Sequence, residues 1–505
     1  MSHKQDFIEI IEKGYRTKKD AIVMGAAMLG EETLTNSYVK IPLKTLNRHG
    51  LIAGATGTGK SKTLQIFAEN LSDNGIPVLL MDVKGDLSGL AKPGEENDHI
   101  TKRHQKIGLP YEPKGFPVEI LTISKQNGTR LRATVSEFGP VLLSRILDLS
   151  EVQSGIVSVL FQYCDNNDLP LLDLKDFKKI LQYATREGKK EFEDAYGRIS
   201  SSSTGAILRR VVELEQQGGD LFFGEKSFEV QDLVRVDENG RGIISILRLT
   251  DIQDRPKLFS TFMLQLLAEI YQTFPEIGDS DRPELVLFID EAHLVFENAS
   301  KTLLNQLEST IKLIRSKGIG VYFVTQNPND IPADVLSQLG LKVQHALRAF
   351  TAKDRKAIKL VAENYPLTEY YDTAKDLTQL GIGEAFISAL NEKGIPTPLA
   401  RTMLRAPMSR MDILTDAEIQ EVIQKSEISG KYNEEIDRES AYELLNKKIA
   451  ATKEHSEKKV KSSKSSNKKL SAQKPDDYIK KQLLKTVTSA TFIRGVFGVL
   501  NKMFK

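Results

Sequence analysis

The octet Gly54-Ala55-Thr56-Gly57-Thr58-Gly59-Lys60-Ser61 fits the pattern G-x-x-x-x-G-K-[ST] at every fixed position. In that pattern the glycines let backbone amides turn towards phosphate oxygens, and a helix starting at its end aims a positive dipole at the same place. The flanks agree: His49-Gly50-Leu51-Ile52-Ala53 reads as a short buried strand, and Thr63-Leu64-Gln65-Ile66-Phe67-Ala68-Glu69-Asn70-Leu71 as a helix. A bare Gly-rich turn would not need that context. Gly54, Ala55, Thr56, Gly57, Thr58, Gly59, Lys60, Ser61 and Lys62 are therefore the expected nucleotide-binding residues. Lys60 would reach the β- and γ-phosphates, and the Ser61 hydroxyl would bind Mg²⁺.

A phosphate loop needs partners from neighbouring strands. Leu285-Val286-Leu287-Phe288-Ile289-Asp290-Glu291 is an apolar run ending in two acids, as a central strand buried on both faces does. Asp290 is expected to hold Mg²⁺ through water, and Glu291 to polarise the attacking water. Gly320–Gln326 reads as another strand, stopped by Asn327-Pro328. Gln326 at its tip either senses the γ-phosphate or only caps the loop. Pro77–Asp86 reads as a further strand, and Asp82 near its end is either a partner for the metal-bound water or a turn former.

Composition sets the bounds. Hydrophobic content of 40% and charged content of 27% are ordinary for a folded chain of this length, which has room for more than one domain. A net charge of +2 gives no global basic footprint for nucleic acid. The single cysteine, Cys164, excludes an internal disulfide framework and a multi-cysteine zinc site, and its apolar helical surroundings suggest a packed thiol. Neither an apolar signal region at the start nor an apolar run long enough to span a bilayer is present, so a cytoplasmic address is expected.

The expected fold is α/β: a parallel-rich sheet flanked by helices, with a helical insertion and a partly disordered C-terminal tail. Residues 1–49 form a lead-in, and 50–132 with 236–410 form the core. Apolar residues at helical spacing in Val135–Leu149, Gly155–Tyr163, Asp176–Thr185 and Ala206–Gln216 mark 133–235 as the insertion. A helical then Lys/Ser-rich linker covers 411–485, with Ser456–Lys474 nearly free of apolar residues. The apolar stretch within 486–505 reads as a docking segment or as a membrane-surface helix.

Four further stretches are informative together: Asp82-Val83-Lys84-Gly85-Asp86-Leu87-Ser88-Gly89-Leu90, Gly139-Pro140-Val141-Leu142-Leu143-Ser144, Gln216–Glu225 and Gln344-His345-Ala346-Leu347-Arg348-Ala349-Phe350-Thr351. In this order they resemble the YjgR-type bacterial proteins, a HerA-like branch of the HerA/FtsK ATPases, over roughly residues 15–410 and the extreme C-terminus. The resemblance implies a RecA-like P-loop core, ATP and Mg²⁺ as ligands, a homo-oligomeric ring that is usually hexameric, and translocation on double-stranded DNA. It also implies an arginine that crosses to the neighbour's γ-phosphate. Arg348 matches best, on what reads as the next strand, and Arg315 in Ile314-Arg315-Ser316-Lys317-Gly318 is the rival. Either could instead be a surface ion-pair residue. The 53 residues before Gly54 are short for the β-barrel that HerA carries there, so HerA's nuclease partner is not carried over. A different class stays open: an ATP-dependent scaffold or regulator of an unknown protein partner, with no movement on DNA. No Asn-Lys-x-Asp guanine-reading motif supports a signalling GTPase.

Overall fold

The computed structural model describes residues 3–463, apart from 253, 279, 297–300, 435 and 437. The chain divides into two compact units. One comprises Met1–Arg132 and Lys226–Glu434, the other Ala133–Glu225 with the chain from Glu435 onward.

The first unit is built on a 12-stranded sheet. In chain order the strands are β1 (Ala21–Leu29), β2 (Glu32–Pro42), β3 (Gly50–Ala53), β4 (Val78–Asp82), β5 (Val118–Thr122), β6 (Thr129–Arg130), β7 (Ile244–Arg248), β8 (Leu285–Ile289), β9 (Ile319–Thr325), β10 (Leu341–Gln344), β11 (Glu384–Ser388) and β12 (Ala400–Leu404). Their order across the sheet is β2-β1-β12-β11-β10-β3-β9-β8-β4-β7-β5-β6. From β10 to β6 all pairings are parallel. From β2 to β10 all are antiparallel. The lead-in therefore supplies a hairpin that extends the sheet through β12.

β3, β4, β8 and β9 are buried at every position. That burial is why they appear in the sequence as unbroken apolar runs instead of alternating ones. The helix Lys60–Asp73 is seated by Phe67, whose ring lies 6.0 Å from Phe288 of β8 and 5.9 Å from Tyr322 of β9. With β3, β9 and β8 adjacent, Gln326 and the Asp290-Glu291 pair emerge beside the phosphate loop at the C-terminal ends of their strands, where open α/β sheets hold ligands.

The second unit is helical: Val135–Ile146, Glu151–Asn166, Leu174–Thr185, Lys189–Tyr196, Ser201–Gln216, Gly219–Phe222 and Ala441–Ser463. Capping boxes at Thr134, Ser150 and Asp173 start the first three, and Gly139 (φ 75) with Pro140 kinks the first. Cys164 is 2% exposed and packs in this core. The helix Ala441–Ser463 runs into the Lys/Ser-rich stretch, whose lysines are good helix formers despite their polarity. The rest of that stretch, and the 486–505 segment, lie outside the described residues.

Candidate nucleotide site

β3 leads into the phosphate loop and the helix Lys60–Asp73 leaves it. The end of β9 and the segment after β10 pin the loop: Gly54 N donates to Thr325 O at 3.2 Å, and Ala55 N to Ala346 O at 2.8 Å. Thr58 Oγ1 donates to Ala55 O at 2.7 Å and closes the turn. Gly54 has φ 154 and Gly59 φ 110. A Cβ on Gly54 would lie 2.5 Å from His345 Cβ, so only glycine fits against that residue. The helix is capped by Gly59 with no side-chain hydrogen bond, which leaves first-turn amides open to an anion.

Lys60 is 5% exposed, and its Nζ donates to Gly54 O at 2.6 Å and Ala55 O at 3.1 Å. Burial, then the nearby Lys84 cation, pushes its pKa down to about 8, against the pull of Glu291, Asp290 and Asp86. Phosphate oxygens brought to this ammonium would offset both effects with opposite charge. Ser61 and Lys62 follow in the first turn, half-buried, with Lys62 Nζ donating to the Met411 carbonyl.

Asp290 and Glu291 sit at the end of β8, 4% and 6% exposed. Burial raises Asp290 to about 6, with Lys84 working the other way. Glu291 adopts φ 47, a left-handed conformation that an L side chain enters only at some cost. Its Oε1 receives Lys84 Nζ at 2.6 Å and Gln326 Nε2 at 3.4 Å. Its Oε2 is buried with no hydrogen-bond partner among the described residues, although His293 Nδ1 stands 3.2 Å away. Burial works to raise the Glu291 pKa, but Lys84, His293 and Gln326 together hold it below the usual value. An ionised carboxylate with one orphaned oxygen is what a water-orienting base requires.

Gln326 also accepts from Thr56 Oγ1 at 3.3 Å, so one amide bridges the phosphate loop and Glu291. Asp82 accepts from Gly85 N, Asp86 N and Leu87 N at 2.7, 3.3 and 3.2 Å. Its carboxylate therefore forms the turn after β4. Ser61 and Asp290 supply the hydroxyl and carboxylate that suit a hydrated Mg²⁺, so the residues present fit that ion.

Arg348 is exposed and lines an open cleft of about 540 Å³ with Thr56, Gln326 and the exposed ring of Phe350. It does not lie on a strand: β10 ends at Gln344, because its parallel partner β3 ends at Ala53 and turns into the phosphate loop. Arg315 precedes β9 and lines a different cleft with Arg48 and Lys342. Lys84 and His345 belong to no nucleotide-binding pattern in the sequence. His345 is fully buried, with Nε2 2.9 Å from Thr63 Oγ1, and burial followed by Lys60 pushes it down to about 4, which leaves it a neutral floor to the loop.

The strand order, the glycine-hinged loop and the acids at the tip of β8 define a P-loop nucleotide-binding protein of the α/β class. The chain belongs to the helicase HerA-like C-terminal family, whose model matches residues 28–497. It is 23% identical over 401 residues to a DNA double-strand break repair helicase HerA of Sulfolobus acidocaldarius, covering 77% of this chain and 71% of that one. It is 35% identical over 379 residues to a probable helicase of the same name from Methanocaldococcus jannaschii, covering 70% and 72%. Among solved structures it is similar to the plasmid coupling protein TrwB in complex with ADP and Mg²⁺, with TM-score 0.51, 16% identity, and coverage of 79% of this chain and 98% of that one. Among the described residues no helix is long and apolar enough to cross a membrane.

Proposed function

We propose that this protein is an ATP-hydrolysing motor that assembles as a homo-oligomeric ring, six-membered as in the HerA/FtsK superfamily, and moves along double-stranded DNA. The observation that carries the hydrolytic part is the ionised, half-orphaned Glu291 beside a glycine-hinged loop that ends in an uncapped helix. Loop amides and Lys60 bind and neutralise the triphosphate; Glu291 orients water for in-line attack on the γ-phosphorus; Gln326 links the two. Mg²⁺, held by Ser61 and Asp290, would supply charge neutralisation on the phosphate oxygens. Gln326 is the natural reporter of γ-phosphate loss, since it touches both Thr56 and Glu291.

The DNA part is supported by relatives named as DNA-repair helicases, and by the YjgR-like motif order. Contacts to DNA would be to the backbone, hence sequence-independent and weakened by salt. A cytoplasmic setting fits this reading. The deciding experiment is ATP turnover of the purified chain with and without double-stranded DNA, with native mass measured in ATP. Stimulation by DNA in a multimer is expected. Turnover indifferent to DNA would point instead to a scaffold acting on a protein partner, and absence of turnover would overturn the reading altogether.

A further inference from the structure

The loop after β4 places a second ammonium in the site. Lys84 Nζ lies 2.6 Å from Glu291 Oε1, with the lysine side chain partly exposed and the glutamate side chain buried. The loop is fixed: the Asp82 carboxylate gathers three of its amides, and Gly85 turns at φ 77 where a Cβ would meet Thr250 Cγ2 at 2.8 Å. Lys84 is thereby held over the tip of β8. Lys60 from the helix, Asp86 from its own loop, Asp290 and His293 beside Glu291, and Gln326 at the tip of β9 surround the same space. The phosphate-loop pattern accounts for Lys60 alone.

We propose that Lys84 recognises the terminal phosphate of a nucleoside triphosphate, exchanging its ion pair with Glu291 Oε1 for that phosphate and so adding Oε1 to the unpaired Oε2 as an acceptor for the attacking water. The inference rests on the hydrolytic reading above and deepens it, because it assigns triphosphate-over-diphosphate discrimination to a residue of this chain. Lys84 is the counter-ion of a buried carboxylate, and Oε1, tied to an ammonium at 2.6 Å, is closed to water while the pair stands. A terminal phosphate carries more charge than one carboxylate and offers three acceptor oxygens, so it outcompetes Glu291 for the ammonium. A diphosphate ends short of that position and leaves the pair closed. No covalent bond changes in the exchange; Gln326 keeps its hold on Oε1 while Lys84 leaves it.

The test uses the full chain, with Lys84→Ala, Lys84→Gln and Lys84→Arg, and measures equilibrium binding of Mg-ADP and of a non-hydrolysable ATP analogue. Lys84→Ala and Lys84→Gln should weaken the analogue by about ten- to a hundredfold, the range of one charge-assisted hydrogen bond, while ADP affinity stays at the parent value. Lys84→Arg should restore most of the preference. ADP binding doubles as the control for folding, and Lys84→Gln, which keeps the side-chain length, serves if Lys84→Ala does not fold. An unchanged analogue-to-ADP ratio in a variant that binds ADP would overturn the inference, as would equal loss of both ligands in a folded variant. A parent that binds neither nucleotide would overturn the hydrolytic reading itself, which is a separate outcome.

Discussion

Glu291 combines four features seldom found in one side chain: burial, a left-handed backbone, a lysine on one oxygen and no hydrogen bond on the other. Its replacement by glutamine keeps shape and removes the charge that orients water. Glu291→Gln should bind ATP as the parent does and lose about 10²- to 10⁴-fold in turnover, measured by single-turnover phosphate release. Parent-level turnover would remove Glu291 from its role. His49 offers a test of stability at the residue scale. Its Nε2 sits 2.9 Å from Ile311 O and its Nδ1 accepts from Val321 N at 3.0 Å, so it is neutral and fully buried. Burial, only partly offset by the Ile311 carbonyl, pushes its pKa down to about 4. The unfolded chain takes up this proton near the ordinary value of about 6.5, so the stability is complete above that pH and is lost as pH falls towards 4. Over that window the loss from this one ring is about 3 kcal/mol. Urea unfolding of His49→Gln should show a pH slope shallower than the parent's by about one proton between pH 6.5 and 4.

At the scale of elements, what the sequence disclosed follows from burial. β8 and β9 are covered on both faces, so each appears as a continuous apolar run with a polar tip, and the tips are the candidate site. Lys84 stayed hidden because its partner lies on a different strand, and nothing in the spacing of Asp82–Asp86 says where an ammonium will point. Apolar content carries the sequence pattern on through Arg348, whereas pairing with β3 ends β10 at Gln344. The seating of the helix Ala441–Ser463 on the helix Leu174–Thr185 was equally invisible, being a contact between residues more than 250 positions apart. It rests on Asp176, 1% exposed, which accepts from Ser440 Oγ at 2.5 Å and Tyr442 N at 2.8 Å, and also from Leu172 N and Asp173 N. Asp176→Ala would leave several buried donors unpaired, at about 1–3 kcal/mol each. Limited proteolysis should then cut near residue 440 well before the parent is cut there, with nucleotide binding unaffected.

At the scale of the molecule, the two candidate arginines lie at opposite ends of β9, a strand of seven residues and so about 20 Å long. Arg348 lines the cleft of its own Thr56 and Gln326, while Arg315 precedes the strand. In a head-to-tail ring, a residue that completes a neighbour's site must lie away from its own. Arg315→Ala mixed with Glu291→Gln should therefore regain ATPase activity, since some interfaces then join an intact Glu291 to an intact Arg315. If Arg348 serves the cleft it lines in its own subunit, Arg348→Ala mixed in the same way stays inactive; recovery there would make Arg348, the better motif match, the trans-acting residue. The same pairing of distant segments governs how the chain comes off the ribosome. The phosphate loop is synthesised early, but the amides of Gly54 and Ala55 are satisfied only by Thr325 and Ala346, and β1 has no partner on its inner edge until β12 at Ala400–Leu404. At about 5–20 residues per second, the β1–β2 hairpin waits on the order of 20–80 seconds with an open edge. The sequence thus makes this core one cooperative unit that closes late in translation, and nascent chains halted before residue 346 should carry the nucleotide motif without the ability to bind nucleotide.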